Sequence, residues 1–287
     1  RQRQMCIRDR DSRLHFNFDF YKKKTKDILL ALEIPKFIGY DNPFVNTGNM
    51  ETTGYDIELG WRDQVGDFSY SVSANLSDFV SKMGDLGGTE FLGEKVKMKG
   101  SEFNEWYGYL SDGLFLTQED VDNSPKLNNN VKVGDIKYKD ISGPDGVPDG
   151  KISSEYDRVC LGGSLPRYTF GVNFAASYKG FDLAMMFQGV GSQNVRINSN
   201  MIEGLRNNWC GFPSILEGNY WSVNNTDAEN AKAIYPRLTR NNIDSNMAMS
   251  DFWMFNGRYL RMKNLTLGYT LPSVLTKKIS MESVRFY

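Results

Sequence analysis

YTFGVNFAASYKGFDLAMMFQ, residues 168–188, decides the fold. Tyr168, Phe170, Val172, Phe174, Ala176 and Tyr178 alternate with Thr169, Gly171, Asn173, Ala175 and Ser177. After the dipeptide Lys179-Gly180 the alternation resumes, with Phe181, Leu183, Met185 and Phe187 set against Asp182, Ala184, Met186 and Gln188. A period of two means extended chain with one apolar and one polar face, and two such runs joined by two residues form a hairpin. The same pattern recurs outward from this point. It runs through Phe68–Leu76, through Tyr55–Trp61 and, near the start, through Leu14, Phe16, Phe18 and Phe20. Residues 252–270 also read as strand, but Leu260 and Met262 lie on one phase and Leu265, Leu267 and Tyr269 on the other. A bulge near Lys263–Asn264 reconciles them.

Connection lengths sort the strands into a plan. Short links at 63–67, 179–180 and 271–281 alternate with long ones at 23–50, 80–165 and 191–251. Strands of about 10–12 residues with short turns at one end and long loops at the other match a transmembrane barrel. Trp61, Tyr168, Tyr178, Phe181, Trp253 and Tyr269 are candidates for its interfacial aromatic rings. A soluble sandwich with one wet face shares the alternation, though long loops argue against it. The sheet face bearing Asp56, Glu58, Arg62, Asn173, Asp182 and Gln188, with His15 on the same phase as Asn17, would face a hydrated lumen.

Composition agrees. The chain has 287 residues, 13% aromatic, with 34 Lys and Arg against 35 Asp and Glu. The mean hydropathy is −0.48, and no apolar run reaches the ~18 residues of a membrane helix. Balanced charge gives no general affinity for nucleic acid. The segment RQRQMCIRDR (1–10) has no periodicity and resembles a translated sequencing-adapter read, so it is set aside with Cys6. Cys160 and Cys210 match no metal spacing and are either a disulfide or two free thiols.

Two constellations carry chemistry. In 140–157, Asp145, Asp149, Gly150 and Ile152 form D-x-x-x-D-G-x-I, akin to a calcium loop, with Asp140 upstream and Asp157 downstream as further carboxylates. A structural calcium is the expectation; no cofactor is required. Val147 stands where a ligand is usual, so an Asp-capped turn is the competing reading. In the long loops, Trp106, Tyr107, Tyr109, Trp209, Tyr220 and Trp221 offer flat faces suited to sugar rings or to a covering partner, and are equally suited to a small core. With one His and no nucleophile or nucleotide motif in a suitable setting, the chain is not read as an enzyme.

Several segments together resemble one family. GDIKYKDISGPDGVPDGKISSEYDR (134–158), LPRYTFGVNFAASYKGFDLAMMFQGVG (165–191), PRLT (236–239), SDFWMFNGRYLRMKNLTLGYTLP (250–272) and, more weakly, NMETTGYDIELGWRD (49–63) look like the C-terminal part of SusC/RagA-type TonB-linked outer-membrane transporters. The resemblance implies an all-β antiparallel meander belonging to a large barrel in the bacterial outer membrane. It also implies an N-terminal plug, a TonB–ExbB–ExbD motor and a SusD-like surface lipoprotein lid. The cargo would be an oligosaccharide or, less usually, a peptide. On this reading residues 11–287 are about seven strands of a barrel cut at both ends. The alternatives are a secreted carbohydrate-binding sandwich and an iron–siderophore receptor of the wider TonB-dependent class.

Overall fold

The computed structural model describes residues 2–8, 13–31, 43–87, 90–197, 214–239 and 243–287. The alternating runs become one antiparallel sheet. In chain order its first strands are β1 (Gln2–Arg8), β2 (Leu14–Ala31), β3 (Phe44–Val65) and β4 (Phe68–Met83). The chain then leaves the sheet through β5 (Phe91–Leu92), β6 (Lys95–Lys97), β7 (Glu105–Tyr109), β8 (Ser111–Leu114), β9 (Ile136–Tyr138) and β10 (Arg158–Gly163). It returns as the hairpin β11 (Arg167–Tyr178) and β12 (Phe181–Ser192), leaves again through β13 (Asn194–Arg196) and β14 (Met254–Asn256), and ends as β15 (Tyr259–Thr270) and β16 (Arg285–Phe286). The large sheet has the order β1-β2-β3-β4-β11-β12-β15-β16, a meander.

Register places every apolar run on one face, because directly opposed residues share a face. Leu59 lies opposite Phe16 and Ala74. Val172 lies opposite Ala74 and Phe187. Leu183 lies opposite Leu267, and Met185 opposite Leu265. The phase break in β15 is a bulge: Met186 pairs with Asn264 and Phe187 with Met262, so Lys263 is the extra residue. The β11–β12 turn has positive φ at Lys179 (48°) and Gly180 (89°), the twist that joins two right-twisted strands in two residues. Gly180 is also sterically required, since a Cβ there would stand 2.8 Å from the Thr270 carbonyl oxygen.

Among the described residues, no second layer covers this apolar face. Leu59, Val72, Leu260, Met262, Leu265 and Leu267 are all exposed. A sandwich would bury them against another sheet, so that alternative is excluded by the architecture. The buried core lies instead in the long loops. Tyr109, Ile136, Tyr138 and Ile152 from the first meet Leu216, Tyr235, Met247 and Trp253 from the second.

Three boundaries differ from the sequence expectation. The loop expected over 23–50 is largely strand, since β2 runs 18 residues and β3 runs 22. Beyond the apolar stretch the pattern changes sense: Lys22 and Lys24 pair with Glu51, while Ile28 and Met50 pack against the buried Met83 and Leu86. Residues 252–270 are not one strand: Met254–Asn256 pairs with Asn194–Arg196, apart from the large sheet. Trp253 is consequently buried in the loop core and not in an aromatic ring at the sheet's end. Finally, Gln2–Arg8, which shows no periodicity of its own, lies antiparallel along β2 with Gln2 opposite Tyr21. An open edge pairs with any extended segment, whatever its side chains.

Candidate functional site

The sheet's two ends are unlike. The short turns gather rings at one end: Phe181 and Tyr269 have centroids 4.4 Å apart, Phe68 and Tyr178 6.5 Å, and Trp61 Nε1 donates to Tyr70 Oη at 3.3 Å. At the other end the two long loops fold into a single body. Their junction is hydrogen-bonded throughout. Tyr109 N donates to the Met249 carbonyl at 2.8 Å, and Ser111 N to Asp251 Oδ1 at 2.6 Å. Tyr138 Oη donates to the Ser245 carbonyl at 2.7 Å, and within the second loop Trp253 Nε1 donates to the Asn246 carbonyl at 2.7 Å. Gly108 lets the strands approach, since a Cβ would fall 2.2 Å from the Met249 carbonyl oxygen.

The centre of the junction is Asp135, which is fully buried. Its Oδ1 accepts from Arg237 Nε at 2.6 Å and from Asn246 Nδ2 at 2.9 Å. Its Oδ2 accepts from Arg237 at 3.1 Å and from Lys132 N at 2.9 Å. Sequence reading did not single out this clamp. Yet Asp135 lies in the segment 134–158, Arg237 in PRLT and Trp253 in 250–272. The loop segments that carry the resemblance are those that hold the body together.

Most of the aromatic set serves this body. Tyr107 and Tyr109 are buried. The Arg158 guanidinium covers the Tyr107 ring at 4.9 Å, and Tyr109 packs against Tyr138 at 5.2 Å. Burial pushes both hydroxyls above the usual tyrosine range. Trp106 is half-buried, with Nε1 donating to the Asn194 carbonyl at 2.8 Å and Lys95 Nζ over its ring at 4.6 Å. Tyr220 packs against the core beside Tyr235. Trp221 is half-buried, and its Nε1 has no acceptor among the described residues. Trp209 and Cys210 lie outside the described residues; Cys160 is a free thiol. On the segment 214–236 the open apolar surface is aliphatic: Ile215, Val223 and Ile234 are all exposed. Nothing in an aperiodic loop marked them in advance.

The Asp-rich loop is folded by its own carboxylates. Asp157 Oδ1 accepts from Ile141 N at 2.8 Å and Ser142 N at 3.3 Å, while Oδ2 accepts from Ser153 N at 2.7 Å. Asp140 Oδ2 accepts from Gly150 N at 2.6 Å, and Asp149 Oδ1 from Lys151 N at 2.9 Å. Asp145 has no part in these bonds. Among the described residues, no three His, Cys, Asp or Glu side chains are grouped to hold a metal ion, so the four carboxylates are not gathered round one point.

Burial of Asp157 acts to raise its pKa, but the backbone N–H groups of Ser153, Ile141 and Ser142 outweigh it and hold the carboxyl below the usual range. Its contribution is therefore present above pH ~4, the unfolded value, and is lost as pH falls through the lower folded value. Asp157→Asn keeps the shape but sets an amide against a donor. The expected cost is about 1.5–3 kcal/mol, read as faster proteolysis within 140–158 at neutral pH and as loss of the wild type's acid-dependent step.

On the polar face of the sheet, Asn17 Nδ2 donates to Glu58 Oε2 at 3.2 Å and contacts His15 Nε2 at 3.0 Å. Asn173 Nδ2 donates to Ser73 Oγ at 3.3 Å. Asp182 Oδ1 accepts from Arg285 Nε at 3.1 Å. These bonds tie neighbouring strands together across the polar face, while Asn17 Oδ1 and Asp19 Oδ1 are buried without a partner among the described residues.

No protein-family model matches the chain. It is similar to the TonB-dependent receptor P3 of Formosa agariphila, 27% identical over 293 residues, covering 96% of this chain and 27% of that protein. It is 22% identical over 274 residues to the TonB-dependent receptor SusC of Bacteroides thetaiotaomicron, covering 92% of this chain and 25% of that protein. The chain thus spans about a quarter of the length of the curated relatives it matches. Among solved structures it superposes on one described as the RagAB peptide transporter with a TM-score of 0.74 at 20% identity, covering 99% of this chain and 30% of that one. A RagAB peptide importer in an open–open state gives 0.72 at 20%, covering 99% and 29%. The fold is that of a TonB-dependent transporter barrel, and the SusC/RagA resemblance read from the sequence stands.

Proposed function

We propose that this chain forms a sector of barrel wall, with its outer loops, in a TonB-dependent outer-membrane transporter that imports oligomeric nutrients. One observation carries the reading: a registered apolar face on which none of the described residues forms a second layer. From Tyr168 to Tyr178 along β11 the face runs ten residue steps, about 33 Å at ~3.3 Å each, or roughly 25 Å in height at a ~40° tilt. That is the height of the lipid-facing band of such barrels. In water the face is a large exposed patch; in a bilayer it is the contact surface.

The polar face then lines the lumen, and the loop body stands on the extracellular side. A lipoprotein lid of the SusD type is the partner this geometry suits, with Ile215, Val223 and Ile234 as its landing surface. A plug and the TonB–ExbB–ExbD motor would open the lumen; the resemblance assigns the plug and TonB contact to other segments of such proteins. The cargo is an oligomer, with glycan the first reading and peptide the second, the latter favoured by the likeness to RagAB. Residues of this chain hold, shape and exclude; no bond of the cargo is broken.

The test is uptake in the native cell. Deleting the gene should abolish uptake of one labelled class, oligosaccharides or peptides, and leave the corresponding monomers unaffected. Unchanged uptake of every oligomer tested, or a protein recovered outside the outer-membrane fraction, would remove the proposal.

A further inference from the structure

The links at the short-turn end are unequal. Gly66–Asp67 and Lys179–Gly180 suffice for their hairpins, but residues 271–284 are spent in joining β15 to β16. That long link is a folded knob. Leu271 N donates to the Val284 carbonyl at 2.9 Å and closes its base. A helical turn, Ser273–Thr276, runs into a tighter one, Lys277–Ile279, which Ser280 ends at φ 57°. Thr276 is fully buried and pins the shape: its carbonyl accepts from Met281 N at 3.1 Å, and its hydroxyl donates to the Ser273 carbonyl at 3.3 Å. The knob therefore buries a polar side chain and shows apolar ones. Val274 is 71% exposed, Leu275 50% and Met281 52%. One exposed apolar residue is ordinary, whereas several on one prefolded link mark a contact surface. Lys277 and Lys278 follow directly and are exposed, against one acid of the knob, Glu282. Of the adjoining links, one carries Lys179 and the other Asp67, which offset each other. The rings of Phe181 and Tyr269, 4.4 Å apart, mark the edge of the apolar band. The knob begins past them, so on the barrel reading it stands clear of lipid, in the periplasm.

We propose that the knob 271–284 is a docking point for a periplasmic protein that offers an acidic segment with apolar anchors. Val274, Leu275 and Met281 receive the anchors, and Lys277 and Lys278 receive the carboxylates. The closed base and Thr276 hold the shape beforehand, so docking orders little on this side. Three apolar side chains make a small contact, suited to a partner that binds and leaves. The inference rests on the barrel reading above.

The test uses the intact protein containing this chain, in phosphatidylcholine nanodiscs. The probe is a fluorescent helical peptide with Leu spaced three and four apart and Glu at the other positions; its twin carries Lys in place of Glu. Wild type should bind the Glu peptide about tenfold more tightly than the twin, and Lys277→Glu with Lys278→Glu should reverse that order. Val274→Ser, Leu275→Ser and Met281→Ser together should weaken the Glu peptide by about tenfold. Leu116→Ser, as exposed but on the outer loops, should change nothing. In cells, p-benzoylphenylalanine in place of Ser273 should crosslink to a periplasmic protein, and the double charge reversal should abolish that adduct. Equal binding of the two peptides overturns the proposal, as does an equal loss on Leu116→Ser. So does an adduct only with lipid, with a second copy or within the same polypeptide. A wild-type protein that fails to enter the nanodisc overturns the barrel reading itself.

Discussion

Asp135→Ala will separate the two long loops while leaving the large sheet intact. The substitution strands an Arg237 side chain that is only 19% exposed, together with the Asn246 amide and the Lys132 N–H. Breaking a buried pair from one side typically costs about 3–5 kcal/mol, because the remaining charge has no partner. The loop body is small, and its core depends on both loops arriving together. A loss of that size is a large fraction of the net stability such a body retains once conformational entropy is counted. Limited proteolysis of the membrane-inserted protein should then cut within 84–165 and 193–256, while the strands stay protected. Asp135→Asn keeps an acceptor for Arg237 and should fall between. If Asp135→Ala resists protease as well as wild type, the clamp is not what joins the loops.

What could be read from the amino-acid order follows from where a period exists. On strands each residue's face is fixed by parity, so alternation alone places Phe170, Leu183 and Leu265 on the apolar face and the bulge at Lys263. Parity misleads where the apolar phase turns to charge at Lys22, Lys24 and Glu51 while Met50 packs with Met83, which is why Lys23–Ala31 and Phe44–Met50 read as loop and are strand. In the loops there is no period. Tyr109, Tyr138 and Trp253 are core, Ile215 and Val223 are surface, and no local pattern separates the two groups. Asp135 and Arg237 stand 102 residues apart, so their pairing left no local trace either. The Asp-rich loop shows a related limit. A spacing that suits a cation also suits turns, and here backbone N–H groups take both oxygens of Asp157 and one each of Asp140 and Asp149.

Leu265→Arg should block stable insertion, and Thr266→Arg should not. The two positions are adjacent in β15 and point to opposite faces, Leu265 opposite Met185 and Thr266 opposite Ala184. Leu265 is 56% exposed on the apolar face, midway along the outward run from Leu260 to Tyr269. In lipid a guanidinium at such a depth costs about 2–4 kcal/mol, falling toward zero near the interfaces. In water the same change would remove an exposed apolar group and improve solubility. The sign of the effect thus reports which solvent the face meets. Thr266 looks into the lumen, where its hydroxyl already contacts Asn264, and a charge there is hydrated. Urea titration of the folded protein in thin phosphatidylcholine bilayers gives both free energies. A destabilised Leu265→Arg beside a near-neutral Thr266→Arg is what a lipid-facing wall requires. The reverse order would mean that the apolar face is covered by protein, and the band along Leu59, Val72 and Leu267 would then have to be read as an interface within a larger soluble assembly.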